Sequence, residues 1–239
     1  MNIAIIFAGG TGTRMNTKDR PKQFLMVHGK PIIIHTIEMF QYHEQIDAII
    51  VSCIEEWIPY MEEMKERFRI TKISKIVPGG ETGQLSIYNG LVAAEELYGA
   101  DGNIVLIHDG VRPLIDKETI TENIESVKAK GSTITCKLPK ETLVIVDEDE
   151  SIKQVPSRKD SRLAVAPQSF WLNEIISVDR KAIAEGNTNV IDSCTLMRMY
   201  GAKMNVVIGN IDNIKITTPE DFYNFRALYD ARENQQLNW

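Results

Sequence analysis

The segment of residues 3–22, IAIIFAGGTGTRMNTKDRPK, most constrains what this chain can fold into, because an apolar strand ends abruptly at glycines and separate cations follow. Gly9, Gly10 and Gly12 leave the backbone free to reach positive φ and to turn its N–H groups toward an anion. Arg14 and Lys22 can then supply positive charge to phosphate oxygens. A tight turn without a ligand would also use glycine, but the two cations favour a phosphate-binding loop.

Two better-known loops and one class of hydrolase are excluded or disfavoured. A dinucleotide-binding loop would need a third glycine where this chain has Met15, and a Walker loop would need a Gly-Lys-Ser/Thr ending. The sequence has no Gly-x-Ser-x-Gly elbow, and its four histidines show no partnered motif, which disfavours nucleophilic hydrolysis.

Composition limits the partners of the chain. It has 239 residues, and its 27 basic and 33 acidic side chains give a formal charge of −6. This balance argues against a general affinity for nucleic acid or for anionic membranes. We see neither a basic-then-apolar leader nor an apolar run near the ~18 residues of a membrane span, and we expect a cytoplasmic protein. Cys53, Cys136 and Cys194 lack CxxC spacing, which predicts buried thiols rather than disulfides or a zinc site.

Short β-branched runs alternate with helical patterns along the chain, which predicts an α/β fold with a predominantly parallel sheet flanked by helices. We interpret residues 1–239 as one domain with an appendage. The predicted strands after the first are 48–53, 73–77, 103–108, 132–136 and 205–208, and the predicted helices are 57–68, 85–97, 116–130, a stretch after Phe170, 192–200 and one capped near Thr218. Ligands bind outside the carboxyl ends of strands in such folds, so loops 8–22, 78–86 and 109–113 should converge on one crevice.

Residues 137–162 break this rhythm. Two short β-like runs, 142–146 and 152–155, flank the acidic turn DEDE, which predicts a projecting hairpin. A small hairpin is marginally stable alone and must pack on something. A partner subunit and the hairpin's own domain are both open as the packing surface.

Other loops carry candidate site residues. Asp109 follows an apolar strand directly, where a carboxylate can bind Mg²⁺ or a substrate hydroxyl, or can simply cap the next turn. His108 is interpreted as a hydrogen-bonded structural imidazole. Gly79 and Gly80 form a second glycine turn that leads through Ser86 to a helix N-terminus, although turn chemistry alone also explains these glycines.

Residues 212–215 place an acid and a base around a predicted short strand. Lys215 should face away from the core between Ile214 and Ile216. A solvated lysine is the simplest interpretation of this pattern. Arg158, at the base of the hairpin, likewise has a plain surface role as its simplest interpretation.

Several segments together resemble a known family. AGGTGTRM at 8–15, PKQF at 21–24, GG at 79–80, HDGVRP at 108–113 and DNIKIT at 212–217 look like the signatures of the IspD/TarI cytidylyltransferases. They occur in the family's order and cover nearly the whole chain. The resemblance implies a Rossmann-like α/β domain, a β-arm at 137–162 that forms a homodimer, CTP and Mg²⁺ as reactants, and pyrophosphate as a product.

The resemblance also implies roles for individual residues. Arg14 and Lys22 resemble the transition-state stabilisers, and Arg158 and Lys215 resemble the residues that position the phosphorylated polyol, with Arg158 reaching the neighbouring subunit's site. Implied CTP-binding residues are Phe7, Ala8, Gly9, Gly10, Thr11, Gly12, Gly79, Gly80, Glu81, Thr82, Ser86 and Gly110. Implied substrate residues are Asp109, Arg112, Thr142, Arg158 and Lys215, and implied metal ligands are Asp109 and Asp212.

The chain departs from the family pattern at two positions. Members often have arginine where Gly83 stands, and threonine where Ala166 precedes Pro167 and Gln168. The first departure concerns the nucleotide loop and the second the sugar side of the site.

The reaction implied is attack by a polyol phosphate on the α-phosphorus of CTP. We favour D-ribitol 5-phosphate as the acceptor, because AGG in the first loop and PKQF look closer to the ribitol group than to the enzymes that use 2-C-methyl-D-erythritol 4-phosphate. The methylerythritol phosphate, a hexitol phosphate or another polyol phosphate stays open. From a different class, a nucleotide-binding regulatory protein without turnover is the alternative, and retention of Arg14, Lys22, Asp109 and Lys215 argues against it.

Overall fold

The computed structural model of this chain describes residues 1–10, 15 and 20–233. The strands of this part, numbered in chain order, are β1 (Asn2–Ala8), β2 (Met26–Val27), β3 (Lys30–Pro31), β4 (Ala48–Cys53), β5 (Ile73–Pro78), β6 (Ile104–Asp109), β7 (Thr133–Lys137), β8 (Ile145–Val146), β9 (Ile152–Gln154), β10 (Leu163–Trp171) and β11 (Asn205–Ile208). Its α-helices are α1 (Ile32–Gln41), α2 (Ile58–Arg67), α3 (Gly83–Tyr98), α4 (Lys117–Lys130), α5 (Leu172–Ala184), α6 (Ser193–Met199) and α7 (Pro219–Glu233).

Seven strands form one sheet in the order β11-β7-β10-β6-β1-β4-β5. β1 pairs in parallel with β4 and β6, β4 with β5, and β11 with β7. β10 is antiparallel to both of its neighbours, β6 and β7. The predicted α/β fold with a predominantly parallel sheet is therefore confirmed, with one reversed strand inside it.

The core lies on both faces of this sheet, because successive side chains of a strand point to opposite faces. Ala4 and Ile6 of β1 pack with residues of α1, α2 and α4 on one face. Ile3 and Ile5 pack with residues of α3, α5 and α6 on the other. These four side chains are fully buried, which explains why β1 is apolar throughout rather than alternating.

Besides the two-residue strands β2 and β3, the sequence prediction missed α1 and β10. α1 has the sequence IIIHTIEMFQ and no side-chain N-cap, so neither a start signal nor a polar face marks it as a helix. β10 carries Pro167, which argues against an inner strand. The structure accommodates this proline by shifting the register of β10 against β7 between Ala164 and Gln168.

The predicted short strand around residues 213–216 is wrong. This segment makes an isolated backbone bond from Ile216 N to Val111 O at 2.9 Å. It is anchored by the Asn213 side chain, which donates to Ala166 O at 2.7 Å. The expected orientation is nevertheless correct, because Ile216 is buried and Lys215 is exposed.

The predicted hairpin is present as β8 and β9, which are shorter than expected and pair antiparallel. It connects the end of β7 to the start of β10. Its apolar side chains are exposed, with Ile152 at 63% and Val155 at 58%. The hairpin is therefore not folded onto its own sheet in this chain.

The described residues can be compared with the predictions of buried thiols and of no membrane-spanning segment. Cys53 and Cys136 are buried thiols and Cys194 is half-buried, and all three are free. Among the helices at residues 1–10, 15 and 20–233, none is both long and apolar enough to cross a membrane.

Candidate active site

The loops after β1, β5 and β6 meet at one edge of the sheet, as the sequence predicts. A Cβ atom added to Gly9 would lie 2.6 Å from Ser86 Oγ, and one added to Gly79 would lie 3.3 Å from the Cα of Gly9. Gly110 N donates to Phe7 O at 2.9 Å. The first two loops can therefore approach each other this closely only because the residues at the contact have no side chain.

Thr82 and Ser86 fix the second glycine turn to the start of α3. Thr82 Oγ1 accepts from Leu85 N at 3.1 Å and so caps the helix. Gly80 N donates to Ser86 Oγ at 3.0 Å, while Ser86 Oγ donates to Thr82 O at 2.9 Å. Glu81 is exposed at the turn. These bonds hold a glycine turn beside a helix N-terminus, a position that favours an anion.

Gln23 is a residue of this region that the sequence reasoning missed. It is buried in the short 3-10 helix Lys22–Phe24, and its Nε2 donates to Ala8 O at 2.7 Å and to Gly10 O at 3.2 Å. This side chain ties the lysine-bearing turn to the end of β1. In the sequence, a glutamine that lies between a lysine and a phenylalanine gives no indication that its side chain is buried.

Lys22 is thereby placed next to the first glycine turn. Thr11, Gly12 and Arg14, which the sequence predicts for the same loop, lie outside the described residues.

Asp109 is the charged centre of the site. It is 6% exposed at the end of β6. Its Oδ2 accepts from Arg112 Nε at 2.7 Å, and its Oδ1 lies 2.6 Å from Lys215 Nζ. The simplest interpretation of Lys215, a solvated lysine, is incomplete, because this side chain forms an ion pair although 42% of it is exposed.

The electrostatics of Asp109 follow from these partners. Burial alone would raise the pKa of Asp109, but the charges of Arg112 and Lys215 and their hydrogen bonds hold the pKa well below its usual range. The carboxylate therefore stays ionised at neutral pH. It is an acceptor and an orienting group, and it is unsuited to act as a proton donor.

His108 precedes Asp109 and is fully buried, with its Nε2 3.2 Å from Arg112 O. Burial lowers the pKa of His108 to about 4, so the ring is neutral at physiological pH. The prediction of a hydrogen-bonded structural imidazole is confirmed.

The chain segment that carries Lys215 is attached to the site by its backbone carbonyls. Arg112 Nη1 donates to Asn213 O at 3.0 Å, and Lys137 Nζ donates to the same oxygen at 2.9 Å. Lys137 Nζ also donates to Ile211 O at 2.7 Å. Sequence patterns gave Lys137 no role, since it ends a strand and looks like an exposed cation.

The two residues predicted to bind Mg²⁺ each have a cationic partner. Asp212 Oδ2 lies 3.3 Å from Arg232 Nη2, and both carboxylate oxygens of Asp109 are engaged by Arg112 and Lys215. With these cationic partners in place, the two carboxylates do not fit a Mg²⁺ ion that is bound by protein side chains alone. Within the described ranges, a group of three or more potential ligands occurs at His28, Asp230 and Glu233, and it includes neither Asp109 nor Asp212.

Thr142 and Arg158 are brought together by the hairpin. Arg158 Nη2 donates to Thr142 Oγ1 at 3.0 Å, and both side chains are exposed. Neither residue lines the cavity at Asp109. The structure thus pairs these two predicted substrate residues with each other, on the arm.

A cavity of about 320 Å³ opens beside Asp109. Its wall comes from several elements, including Phe7 of β1, Gln84 of α3, Ala166 of β10 and Ser193 of α6. Arg112 and Lys215 also line it. A cavity with two cations, the ionised Asp109 and two further aspartates on a partly apolar wall is suited to a small anionic ligand with hydroxyl groups.

We predict that Asp109→Asn destabilises the chain by on the order of 3 kcal/mol at pH 7, because Arg112 would be left as a buried cation without its counter-charge. A carboxylate with a depressed folded-state pKa stabilises above its unfolded pKa of about 4 and loses that contribution as pH falls further. The difference between wild type and variant should therefore shrink below about pH 4. Urea unfolding from pH 7 to pH 3 measures it.

Glu96→Gln is the matched control, because Glu96 forms an exposed ion pair with Lys75 at 2.8 Å. Its effect should stay below about 1 kcal/mol. Equal losses for the two variants at pH 7 would contradict the importance of burial at Asp109.

The sequence resembles known proteins over almost its full length. A family model described as IspD, 2-C-methyl-D-erythritol 4-phosphate cytidylyltransferase, matches residues 2–230. A ribitol-5-phosphate cytidylyltransferase of Streptococcus agalactiae serotype V is 57% identical over 237 residues, which are 99% of this chain and 98% of that protein. A 2-C-methyl-D-erythritol 4-phosphate cytidylyltransferase of Clostridium botulinum strain 657 is 38% identical over 220 residues, which are 92% of this chain and 93% of that protein.

The fold agrees with these matches. The crystal structure of 4-diphosphocytidyl-2C-methyl-D-erythritol synthase from Anaerococcus prevotii superposes with a TM-score of 0.82 at 28% identity and covers 96% of both chains. The motifs that converge at the glycine turns and at Asp109 are those on which the resemblance was based. On the family model, the sequence identities and the shared fold, this chain belongs to the IspD family of cytidylyltransferases.

Proposed function

We propose that this chain transfers CMP from CTP to D-ribitol 5-phosphate and so forms CDP-ribitol and pyrophosphate. The observation that carries the reaction class is the convergence of two glycine turns with the Arg112–Asp109–Lys215 group at one sheet edge. The choice of acceptor is supported by the 57% identity to a ribitol-5-phosphate cytidylyltransferase, against 38% to an enzyme named for methylerythritol phosphate.

The chemistry asks little of a protein base. An oxygen of the acceptor phosphate is already ionised near neutral pH and attacks the α-phosphorus of CTP. The bond from this phosphorus to the oxygen that bridges it to the β-phosphate breaks, and pyrophosphate leaves with the electron pair. The site must align two anions that repel each other and stabilise the extra charge at the five-coordinate phosphorus.

We assign the two ligands to different parts of the site. The glycine turns and the N-terminus of α3 bind the nucleotide, with Arg14 and Lys22 stabilising the transferred phosphoryl group because pre-placed cations need no reorganisation. Asp109, Arg112 and Lys215 bind the polyol phosphate. Asp109 accepts hydrogen bonds from acceptor hydroxyls, while the Lys215 ammonium group, which is paired with Asp109 but 42% exposed, also contacts the phosphate.

Magnesium belongs to this proposal as an ion that accompanies the triphosphate. Mg²⁺ is commonly bound by one or two carboxylates together with substrate phosphates and water. Asp109 and Asp212, the predicted ligands, are engaged by cationic side chains, so we derive no step through a metal held by them.

The acceptor assignment is tested by pyrophosphate release from CTP with a panel of polyol phosphates. We expect the highest kcat/KM with ribitol 5-phosphate and a lower value with 2-C-methylerythritol 4-phosphate, because polar groups left unpaired by the wrong polyol disfavour it strongly. A higher kcat/KM with methylerythritol phosphate would overturn the assignment of ribitol 5-phosphate as the acceptor. A reaction with a hexitol phosphate alone would also overturn that assignment and would support only the reaction class. No pyrophosphate with any acceptor would favour a nucleotide-binding regulatory protein.

Removing either proposed stabilising cation should slow turnover without a matching loss of stability. For Lys22→Ala and Arg14→Ala we expect kcat to fall by about 10²–10³, by analogy with other preorganised donors. Lys128→Ala is the control, since Lys128 is exposed and pairs with Glu125 on α4. Turnover and melting temperature are measured on the same samples, and near-normal turnover in both loop variants would refute the assignment.

We also propose that the arm of residues 137–162 forms a homodimer. Its exposed apolar side chains include Val144, Ile145 and Ile152, and a two-stranded hairpin needs such a surface covered to be stable. The arm begins and ends at the site edge of the sheet, since it joins the end of β7 to the start of β10. Arg158 and Thr142 would then be supplied to the partner's site.

Ile152→Asp should convert the dimer to a monomer, because it places a charge in the proposed interface. Ile208→Asp is the matched control, an exposed isoleucine of β11 outside the arm. Light scattering after size exclusion gives the mass of each. A monomeric wild type at micromolar concentration would contradict the proposal, as would equal dissociation in both variants.

A further inference from the structure

One buried carboxylate of the cavity has no part in the function described so far. Asp179 lies on α5, lines the same cavity as Asp109 and is 1% exposed. Its Oδ1 accepts from Gln84 Nε2 at 3.1 Å. Its Oδ2 is fully buried and has no hydrogen-bond partner. A buried oxygen of this kind is unfavourable unless something binds to it.

Gln84 provides a hydrogen bond to only one of the two oxygens of this carboxylate. The Gln84 Nε2 group donates to Asp179 Oδ1 and to Asn187 O, and its Oε1 accepts from Val190 N at 2.9 Å. The amide is therefore fully used in holding the segment of residues 187–190 against α3. It leaves nothing to satisfy Asp179 Oδ2.

Three other polar side chains of the wall, those of Asp192, Gln168 and Asp109, are occupied by partners within the protein. Asp192 accepts from Thr195 N at 2.7 Å and from Gln168 Nε2 at 3.3 Å, and Gln168 Oε1 accepts from Cys194 N at 2.8 Å. Asp109 is held by its two cations. Among the described lining residues, Asp179 is the one with a fully buried side-chain oxygen that lacks a partner.

The missing partner must be a hydrogen-bond donor. The polyol of the proposed acceptor carries several hydroxyls, and Ala166 and Val190 of the cavity wall cannot accept from them through their side chains. Asp109 is one acceptor, and Asp179, whose side chain also lines this cavity, carries a second acceptor oxygen that has no partner in the protein. Burial raises the pKa of Asp179 to about 6, so near neutral pH the oxygen is mainly ionised.

We propose that Oδ2 of Asp179 accepts a hydrogen bond from a hydroxyl of the acceptor polyol, which makes Asp179 a specificity-determining residue. This rests on the function proposed above. It explains why a carboxylate stands where an apolar side chain would pack α5 against α3 without an unpaired oxygen. It also predicts that selectivity depends on one particular hydroxyl rather than on the phosphate.

The experiment pairs enzyme variants with acceptor analogues. Wild type, Asp179→Leu and Asp179→Asn are assayed for pyrophosphate release with ribitol 5-phosphate and with its monodeoxy analogues. We expect wild type to lose at least tenfold in kcat/KM with one analogue, because the hydroxyl that Asp179 binds is missing. In both variants ribitol 5-phosphate should react at least tenfold less efficiently, while that analogue reacts almost as in wild type.

Controls separate binding from structure. Asp179→Asn keeps the shape of the side chain and replaces Asp179→Leu if the latter does not fold. Glu174→Gln changes an exposed acid of the same helix and should leave every kcat/KM unchanged. KM for CTP should be the same in all of these proteins.

The outcomes are distinct. The role of Asp179 would be overturned if the Asp179 variants lost the same kcat/KM with every acceptor, or if they kept the wild-type preference for ribitol 5-phosphate over all analogues. In either case, turnover by the wild type would still uphold the proposed function. A rise in the KM for CTP instead would assign the oxygen to the cytosine amino group and also overturn it. A wild type without turnover on ribitol 5-phosphate would remove the proposed function and this inference with it.

Discussion

The ionised state of Asp109 is the constraint on which this end of the molecule depends. Burial raises the pKa of a carboxylate that is 6% exposed, and a cation at each of its two oxygens keeps Asp109 ionised. Arg112 does so from the turn that follows β6, three residues along the chain. Lys215 does so from a segment far away in sequence, which must therefore be brought to the same edge of the sheet.

That requirement organises a large part of the carboxyl-terminal half. Residues 211–216 have no strand partner, and their position is set by donors to the carbonyls of Ile211 and Asn213 and by the Asn213 side chain on β10. Phe225 of α7 packs with Ile216 behind them. Packing, backbone bonding and charge thus agree on one position for Lys215.

The sequence was informative where local chemistry and fold point the same way. An apolar strand ending in glycines, a carboxylate at the end of β6 and a second glycine turn before α3 are all recognisable from neighbouring residues, and the structure brings them together. What could not be predicted depends on partners distant in sequence. The burial of Gln23 and Asp179, the two bonds of Lys137 and the reversed direction of β10 all depend on contacts that no local pattern encodes.

The reversed strand β10 has a mechanical consequence. Because it runs against β6 and β7, its first residues lie at the catalytic edge, where Ala164 and Ala166 form part of the cavity wall. The arm ends immediately before Leu163, so arm and wall are successive stretches of one continuous backbone with no linker between them. A displacement of the hairpin would therefore shift the start of this strand, so the proposed dimer interface and the proposed acceptor site are connected through one backbone segment.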